Sequence, residues 1–275
     1  MAIITISREM GTGAYQIAKE VAKKLRATLI DGGKLKELAP KYGLTRQVID
    51  RIDEKPPSYI TAEDRLQAAY LKIMELIILD SARKGNVIIY GRGGQDLLQG
   101  LENVLRLRFI APFEYRVESL AEREWVDPDL AREFIRKNDH QRGGFIHFYF
   151  DRDWNDPLGY DLVFNTERMS KMSIIDSIVT AARDPRLKDR TADLAIIEDR
   201  MLCYQVEAAL LKSKKLGNNP ITVSVDGGEL TLGGHITSEE VREIVLKTVK
   251  KIKGIAAVFD DMQVVNYKPF SDLVY

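Results

Sequence analysis

One short stretch combines residue types and spacing that could hold an anion. Ser7-Arg8-Glu9-Met10-Gly11-Thr12-Gly13-Ala14-Tyr15 follows a β-branched run, Ile3 to Ile6, and precedes a helical pattern in which Ile17, Val21 and Leu25 recur every fourth residue. A glycine-containing turn between a strand and a helix offers backbone N–H groups and the positive end of the helix dipole to a phosphate. Laid on the phosphate-loop pattern G-x-x-x-x-G-K-[ST], Gly13 takes the second glycine, but Arg8 takes the first. Ala14 stands where the lysine would be, and Tyr15 where the magnesium-binding hydroxyl would be. The bare pattern therefore fails, and a plain strand-to-helix turn explains this segment equally well. Elsewhere, Arg116, Arg123, Arg132, Arg136 and Arg142 lie among Glu118, Glu122, Glu124, Asp127, Glu133 and Asp139. Ion pairing on helix surfaces is the ordinary use of such residues; charge neutralisation around a phosphoryl group is the specialised one.

The elements that must position these groups alternate between strand and helix. Strands are expected at Ile3 to Ile6, Thr28 to Ile30, Asn86 to Tyr90, Val104 to Ile110 and Asp161 to Asn165. Thr61 and Asp64 form a capping-box pattern ahead of a long helix that buries Leu66, Ala69, Tyr70, Ile73 and Ile77 and ends at Gly85. The alternation predicts a mostly parallel sheet covered on both faces, with ligands at the carboxyl ends of its strands. Those ends carry Ser7-Arg8, Asp31, Gly91-Arg92 and Asn165-Thr166. Arg106 and Arg108 alternate within a strand and read as charges on an exposed face or edge. Trp154 and the run Phe145 to Phe150 read as packing, and Cys203 as a small buried apolar residue.

Composition narrows the function. The 275 residues carry 41 Lys+Arg and 41 Asp+Glu, a net charge of zero, and the balance holds on each side of residue 184. That excludes a nucleic-acid coat, which needs a surplus of cations, but not a pocket in which a few arginines meet one small anion. The single cysteine excludes an internal disulfide framework. No apolar run approaches the roughly 18 residues of a spanning helix, and the start lacks a signal-peptide pattern, so a cytoplasmic location is expected.

In their order, Ile4-Thr5-Ile6-Ser7-Arg8-Glu9, Gly11-Thr12-Gly13, Ile30-Asp31, Val87 to Gly93, Arg108 to Arg116, Asp139 with Arg142, Asp153 to Pro157 and Tyr160 to Thr166 resemble the cytidylate kinase-like family. The resemblance runs over about residues 1–183. It implies the P-loop nucleoside monophosphate kinase fold, often with a loop lacking the lysine, and ATP-dependent phosphoryl transfer to a CMP-like nucleotide or related small molecule. Under it, Ser7, Gly11, Thr12 and Gly13 hold the ATP phosphates, and Asp31 and Arg92 meet the acceptor. Arg8, Asp139 and Arg142 act at the transferring phosphate, with Arg116, Arg132 and Arg136 in a closing lid. Thr12 or Asp31 would hold Mg2+.

Beyond Asp184 the order is helix (about 192–213), strand Ile221 to Val225, turn Asp226-Gly227-Gly228-Glu229, strand Leu230 to Leu232, helix capped by Thr237 and Glu240, and strand Ala257 to Val265. The run Val223 to Ile236, with Val249 to Val265, resembles the BON domain, a module associated with phospholipid contact or assembly. The expected organisation is a kinase-like α/β domain at 1–184, a linker at 185–191, a small α+β BON module at 192–266 and a tail at 267–275. The missing loop lysine leaves a second reading open. In it the chain is a weak or inactive nucleotide-sensing protein whose BON module recruits a protein partner, phospholipid or a second copy of the chain.

Overall fold

The computed structural model describes residues 3–44, 62–187, 191–216 and 219–265. Within it the contacts divide the chain into two compact units, Met1–Ser58 with Ile77–Leu194 and Tyr59–Leu76 with Ala195–Tyr275.

The first unit is built on a five-stranded parallel sheet. Its strands are β1 (Ile3–Arg8), β2 (Thr28–Ile30), β3 (Val87–Tyr90), β4 (Val104–Ile110) and β5 (Leu162–Asn165), in the order β2-β3-β1-β4-β5. β1 lies at the centre, with Ile4 opposite Ile88 on one side and Leu105 on the other. Its residues are buried from Ile3 to Ser7, as a strand covered on both faces requires. Around it are α1 (Ala14–Leu25), α2 (Gly32–Leu38), the end of α3 (Ala62–Lys84), α4 (Gly94–Leu97), α5 (Phe113–Glu124), α6 (Pro128–Phe150) and α7 (Lys171–Ala181). α1 and α7 set Ile17, Val21, Ile174 and Ile178 against Ile4, Ile6, Leu107 and Phe109 of the sheet. α3 ends as expected before Gly85, whose φ of 74° suits a residue without a Cβ. The capping pair Thr61 and Asp64, and Leu66, lie outside the residues whose side chains are described; Ala69, Ile73 and Ile77 are buried.

Two arginines depart from expectation. Arg108 is buried, not on an exposed face, because both faces of this sheet are covered. Its guanidinium lies 4.2 Å from the centre of the Trp154 ring and donates to Asn155 Oδ1 at 2.8 Å. Arg106 is half-buried and donates to the carbonyls of Leu98 and Leu101, each at 3.1 Å.

α4 carries Asp96, whose carboxyl is pushed up to about 6 by burial, against the opposing pull of Arg152, the Gln95 amide and Arg106. The folded state therefore holds this proton at pH values where the unfolded chain, with an ordinary value of 3.8, has lost it. By linkage, the Asp96 contribution to stability falls as pH rises from about 4 to about 6 and is flat above. Asp96→Asn removes that slope. Its melting temperature should gain on the wild type progressively through this window, and a gap independent of pH would refute the assignment.

The second unit contains the start of α3 and most of α8 (Thr191–Lys212), then β6 (Ile221–Asp226), β7 (Glu229–Ile236), α9 (Glu239–Val249), β8 (Ala257–Asp260) and β9 (Gln263–Val264). β6 and β7 form an antiparallel hairpin, and β8 and β9 both run parallel to β7. The hairpin turn is pinned by Asp199, which accepts from the N–H groups of Gly227 and Gly228 at 2.9 and 2.8 Å. Ser238, not Thr237, caps α9 by accepting from Val241 N, and the expected last strand is broken between Asp260 and Gln263. Leu230, Leu232, Ile236, Val245 and Val249 form the core. Lys72 sits between two carboxylates of this unit, 3.3 Å from Glu75 and 3.2 Å from Glu207. Burial holds the Glu75 carboxyl above its ordinary range despite the lysine. Cys203 is half-buried, and burial pushes its thiol up to about 11.

Candidate active site

At the carboxyl end of β1 the chain leaves the sheet at Arg8 and turns into α1 through Glu9–Gly13. Gly11 and Gly13 have φ of 91° and 70°, in the left-handed region that disfavours side chains. Gly13 is the N-cap of α1 and has no side chain to cap the helix. The first N–H groups of α1 are therefore without a side-chain acceptor, the arrangement an anion satisfies. Above this end lies a cavity of about 480 Å³, lined by residues 8–16 with Tyr90, Arg123, Glu124 and Arg142.

The loop is held from behind by a charge network. Asp139, on α6, accepts from Met10 N at 2.9 Å with one carboxylate oxygen and from Arg116 Nη1 at 2.6 Å with the other. Arg116, on α5, also donates to the Met10 carbonyl at 3.1 Å and to the Ala111 carbonyl at 3.0 Å. Its Nε lies 3.3 Å from Glu9 Oε2, which accepts in turn from Ala111 N. Both polar groups of the Met10 backbone are thus bound by α5 and α6. Gly11 presses against the same helix: a Cβ there would stand 2.6 Å from the Arg116 carbonyl oxygen.

The site residues expected from the sequence separate into three groups. Arg8, Gly11, Thr12, Gly13 and Arg142 line one cavity. Arg8 stacks over the Tyr90 ring at 4.4 Å, and Arg142 donates to the Arg8 carbonyl at 3.4 Å, with Asp139 3.9 Å away. Asp139 and Arg116 come next: they hold the loop rather than line the cavity, and Arg116 is buried. The rest lie apart from the lining. Ser7 is buried, and its hydroxyl accepts from Trp154 Nε1 at 2.9 Å. Arg132 pairs with Glu114 and Asp129, and Arg136 is exposed with its guanidinium 5.2 Å from the Phe113 ring. Arg92, with φ of 60°, sits in the turn after β3.

Asp31 caps α2 by accepting from Lys34 N at 2.8 Å and accepts from the Tyr15 hydroxyl at 2.7 Å. Burial opposes its charge, but these hydrogen bonds prevail and hold the carboxyl below its ordinary range. The same bond to Asp31, with burial, raises the Tyr15 phenol. Thr12 is buried, and its hydroxyl donates to the Glu9 carbonyl at 2.9 Å. Arg123 and Tyr90 were not among the expected site residues, yet they line the cavity. Position at the carboxyl end of a strand is a signal that could have found Tyr90. Among the described residues there is no group of three His, Cys, Asp or Glu able to hold a metal ion. Nor, among the described residues, is any helix long and apolar enough to cross a membrane.

Comparison with known proteins decides the family. The model described as the cytidylate kinase-like family matches residues 3–168. The chain belongs to this family. The BON domain model matches residues 198–266. The chain is 29% identical over 186 residues to the cytidylate kinase of Methanocaldococcus jannaschii, covering 66% of this chain and 97% of that protein. It is 30% identical over 191 residues to the cytidylate kinase of Methanocella arvoryzae, with the same coverage. A crystal structure of an uncharacterized protein from Eubacterium ventriosum superposes with a TM-score of 0.54 at 22% identity, covering 67% of this chain and 99% of that one. That likeness shows the fold. Membership of the cytidylate kinase-like family supports phosphoryl transfer of the nucleotide kinase type, and the parallel sheet with its loop is the P-loop kinase architecture.

Proposed function

We propose that the chain transfers the γ-phosphoryl group of ATP to a nucleoside monophosphate of the CMP type, at the cavity over the Gly11–Gly13 loop. The observation carrying this reading is the uncapped N-terminus of α1 opening, with Arg8 and Arg142, into one cavity. Phosphoryl transfer asks a protein for positioning and charge neutralisation, and little covalent chemistry. The loop N–H groups receive the donor's phosphates. Arg142 neutralises the group in transit, and its neighbour Asp139 sets its direction. Arg8, its guanidinium 4.4 Å from the centre of the Tyr90 ring, supplies the positive charge that the absent loop lysine would have supplied. Asp31 and Arg92, at the ends of β2 and β3, face the acceptor side. α5 and α6, tied to the loop through Arg116 and Asp139, exclude water from its back and so protect the donor from hydrolysis.

Mg2+ retains mostly water and phosphate oxygens as ligands, so a donor set with one hydroxyl and one carboxylate fits it. Thr12 or Asp31 would hold it, and the ion would supply positive charge that neutralises the donor's phosphates. We read residues 192–266 as a BON module attached for regulation, assembly or lipid contact, with 1–184 as the catalytic domain and 185–191 as the linker.

An ADP-release assay across CMP, dCMP, UMP and other small acceptors tests this reading. Turnover with at least one acceptor is expected, and ATP binding without turnover on any of them refutes it. Arg142→Ala should lower kcat by about 10²–10³-fold, the usual effect of removing one charge-stabilising donor. A second reading, a nucleotide sensor without turnover, has one observation in its favour: Tyr15 stands where a metal-binding hydroxyl would be and is bound to Asp31. It requires nucleotide-dependent self-association or vesicle binding.

A further inference from the structure

The lining of the cavity is polarised. Over most of it the groups offered to a ligand are donors: the N–H groups of the Gly11–Gly13 loop and the guanidiniums of Arg8 and Arg142. The carboxylates that reach the lining, Glu9 and Glu124, are spent on Arg116 and Arg123. Tyr15 differs. Its hydroxyl donates its one proton to Asp31 Oδ2 at 2.7 Å, in a hydrogen bond open to solvent. An ionised carboxylate only accepts, so the direction of this bond is fixed and the phenolic oxygen keeps its lone pairs. Tyr15 lines the cavity and Asp31 does not, so a ligand on this side meets the phenol and not the carboxylate. The ring is held in place as well. It meets Tyr90 edge-on with centroids 5.4 Å apart, Lys19 Nζ lies 5.2 Å from its centre, and Asp31 is itself anchored by Lys34 N at 2.8 Å. A hydrogen-bond acceptor oriented before the ligand arrives costs little to order on binding.

We propose that Tyr15 selects the second substrate: its phenolic oxygen accepts from an O–H or N–H group on the nucleoside part of a nucleoside monophosphate. The inference rests on the kinase reading, since it gives the loop and the arginines to phosphate. Phosphate oxygens have the wrong polarity for the phenolic oxygen and the right one for the cations, so one molecule is oriented from both ends. In CMP the ribose hydroxyls and the cytosine amino group carry the required proton. The analogues dCMP and 3′-deoxy-CMP each lack one hydroxyl, and UMP has a carbonyl in place of the amino group. The residue that breaks the phosphate-loop pattern at its last position thus acquires a use of its own.

The test is isothermal titration of the full chain, wild type and Tyr15→Phe, with CMP, the three analogues and inorganic tripolyphosphate. The wild type should bind CMP about tenfold more tightly than one of the analogues, and which one identifies the donor group as sugar or base. Tyr15→Phe keeps the ring. It should lose that preference by weakening CMP, and leave the disfavoured analogue and tripolyphosphate unchanged. Melting temperatures without ligand check that the variant is folded. Unchanged CMP affinity in Tyr15→Phe, or equal weakening of every ligand, overturns the proposal while leaving the kinase reading intact. A wild-type chain that binds none of the nucleotides overturns the proposal too, and the ADP-release assay across other acceptors then decides the kinase reading separately.

Discussion

Gly11→Ala should abolish phosphoryl transfer, lowering kcat/KM by at least about 100-fold, with a melting temperature several degrees below that of the wild type. Two independent obstacles act on the added methyl. The backbone at φ 91° is in a region where a side chain costs about 1–3 kcal/mol, and the Cβ would stand 2.6 Å from the Arg116 carbonyl oxygen and 2.9 Å from the Arg116 Cβ. Neither obstacle can be relieved by rotating a side chain, because backbone and Cβ atoms are the ones in the way. The loop must move off α5, and a shift of about 1 Å in a group that positions a reactant can cost about 100-fold in rate. Gly13→Ala is the control. It has a similar φ but no atom within 4 Å of the added carbon, so it carries the conformational cost without the clash. Steady-state kinetics of the two variants, side by side, measure how far the close approach to Arg116 matters. Equal loss in both would mean that it does not.

Removal of the carboxylate behind the loop should have the next largest effect. Asp139→Ala deletes the acceptor for Met10 N and the 2.6 Å partner of Arg116. Arg116 keeps Glu9, so the loss is smaller than for a fully orphaned buried charge; about 2 kcal/mol of stability is expected. The kinetic loss should exceed what that stability change accounts for. Loop and α6 are no longer tied together, and Arg142 loses the carboxylate 3.9 Å away, so a fall in kcat of about 100-fold is expected. Asp139→Asn divides the two roles: it keeps an oxygen for Met10 N but removes the charge facing Arg116. Chemical denaturation and kcat measured on both variants check this. A wild-type kcat in Asp139→Ala would remove Asp139 from the catalytic apparatus.

How legible the molecule was in its residues depended on which physical signal each part used. The five strands of the first sheet were plain because β-branched runs such as Ile3 to Ile6 and Val87 to Ile89 end at polar or glycine residues, and those signals are local. The hairpin turn at Gly227-Gly228 was plain for the same reason. Arg108 was misjudged because alternation in a strand suggests a wet face, whereas this strand is covered on both sides and the charge is absorbed by Trp154, Tyr160 and Asn155. The surroundings of Arg116 were hidden for a related reason. A helix arginine among glutamates looks like surface pairing or a mobile lid group, and only the fold reveals that its partners, Glu9 and Asp139, arrive from distant segments. The break between β8 and β9 was hidden because Asp260 and Asp261 interrupt a run that otherwise reads as one strand. The glycine loop stood out from its strand-and-helix context, but its supports, more than a hundred residues away in sequence, did not.

The position of β1 bears on how the chain is made. This strand is synthesised before the other four of its sheet, yet it lies between β3 and β4 and pairs with no strand that immediately follows it. During translation its apolar residues wait on the order of seconds until Val104–Ile110 has left the ribosome. The glycine loop, attached to its end, cannot take its final shape before then. Late arrival of α5 and α6, which carry Arg116 and Asp139, defers it further. Within the first unit the glycine loop is thus translated early and completed late, after Val104–Ile110, α5 and α6 have emerged.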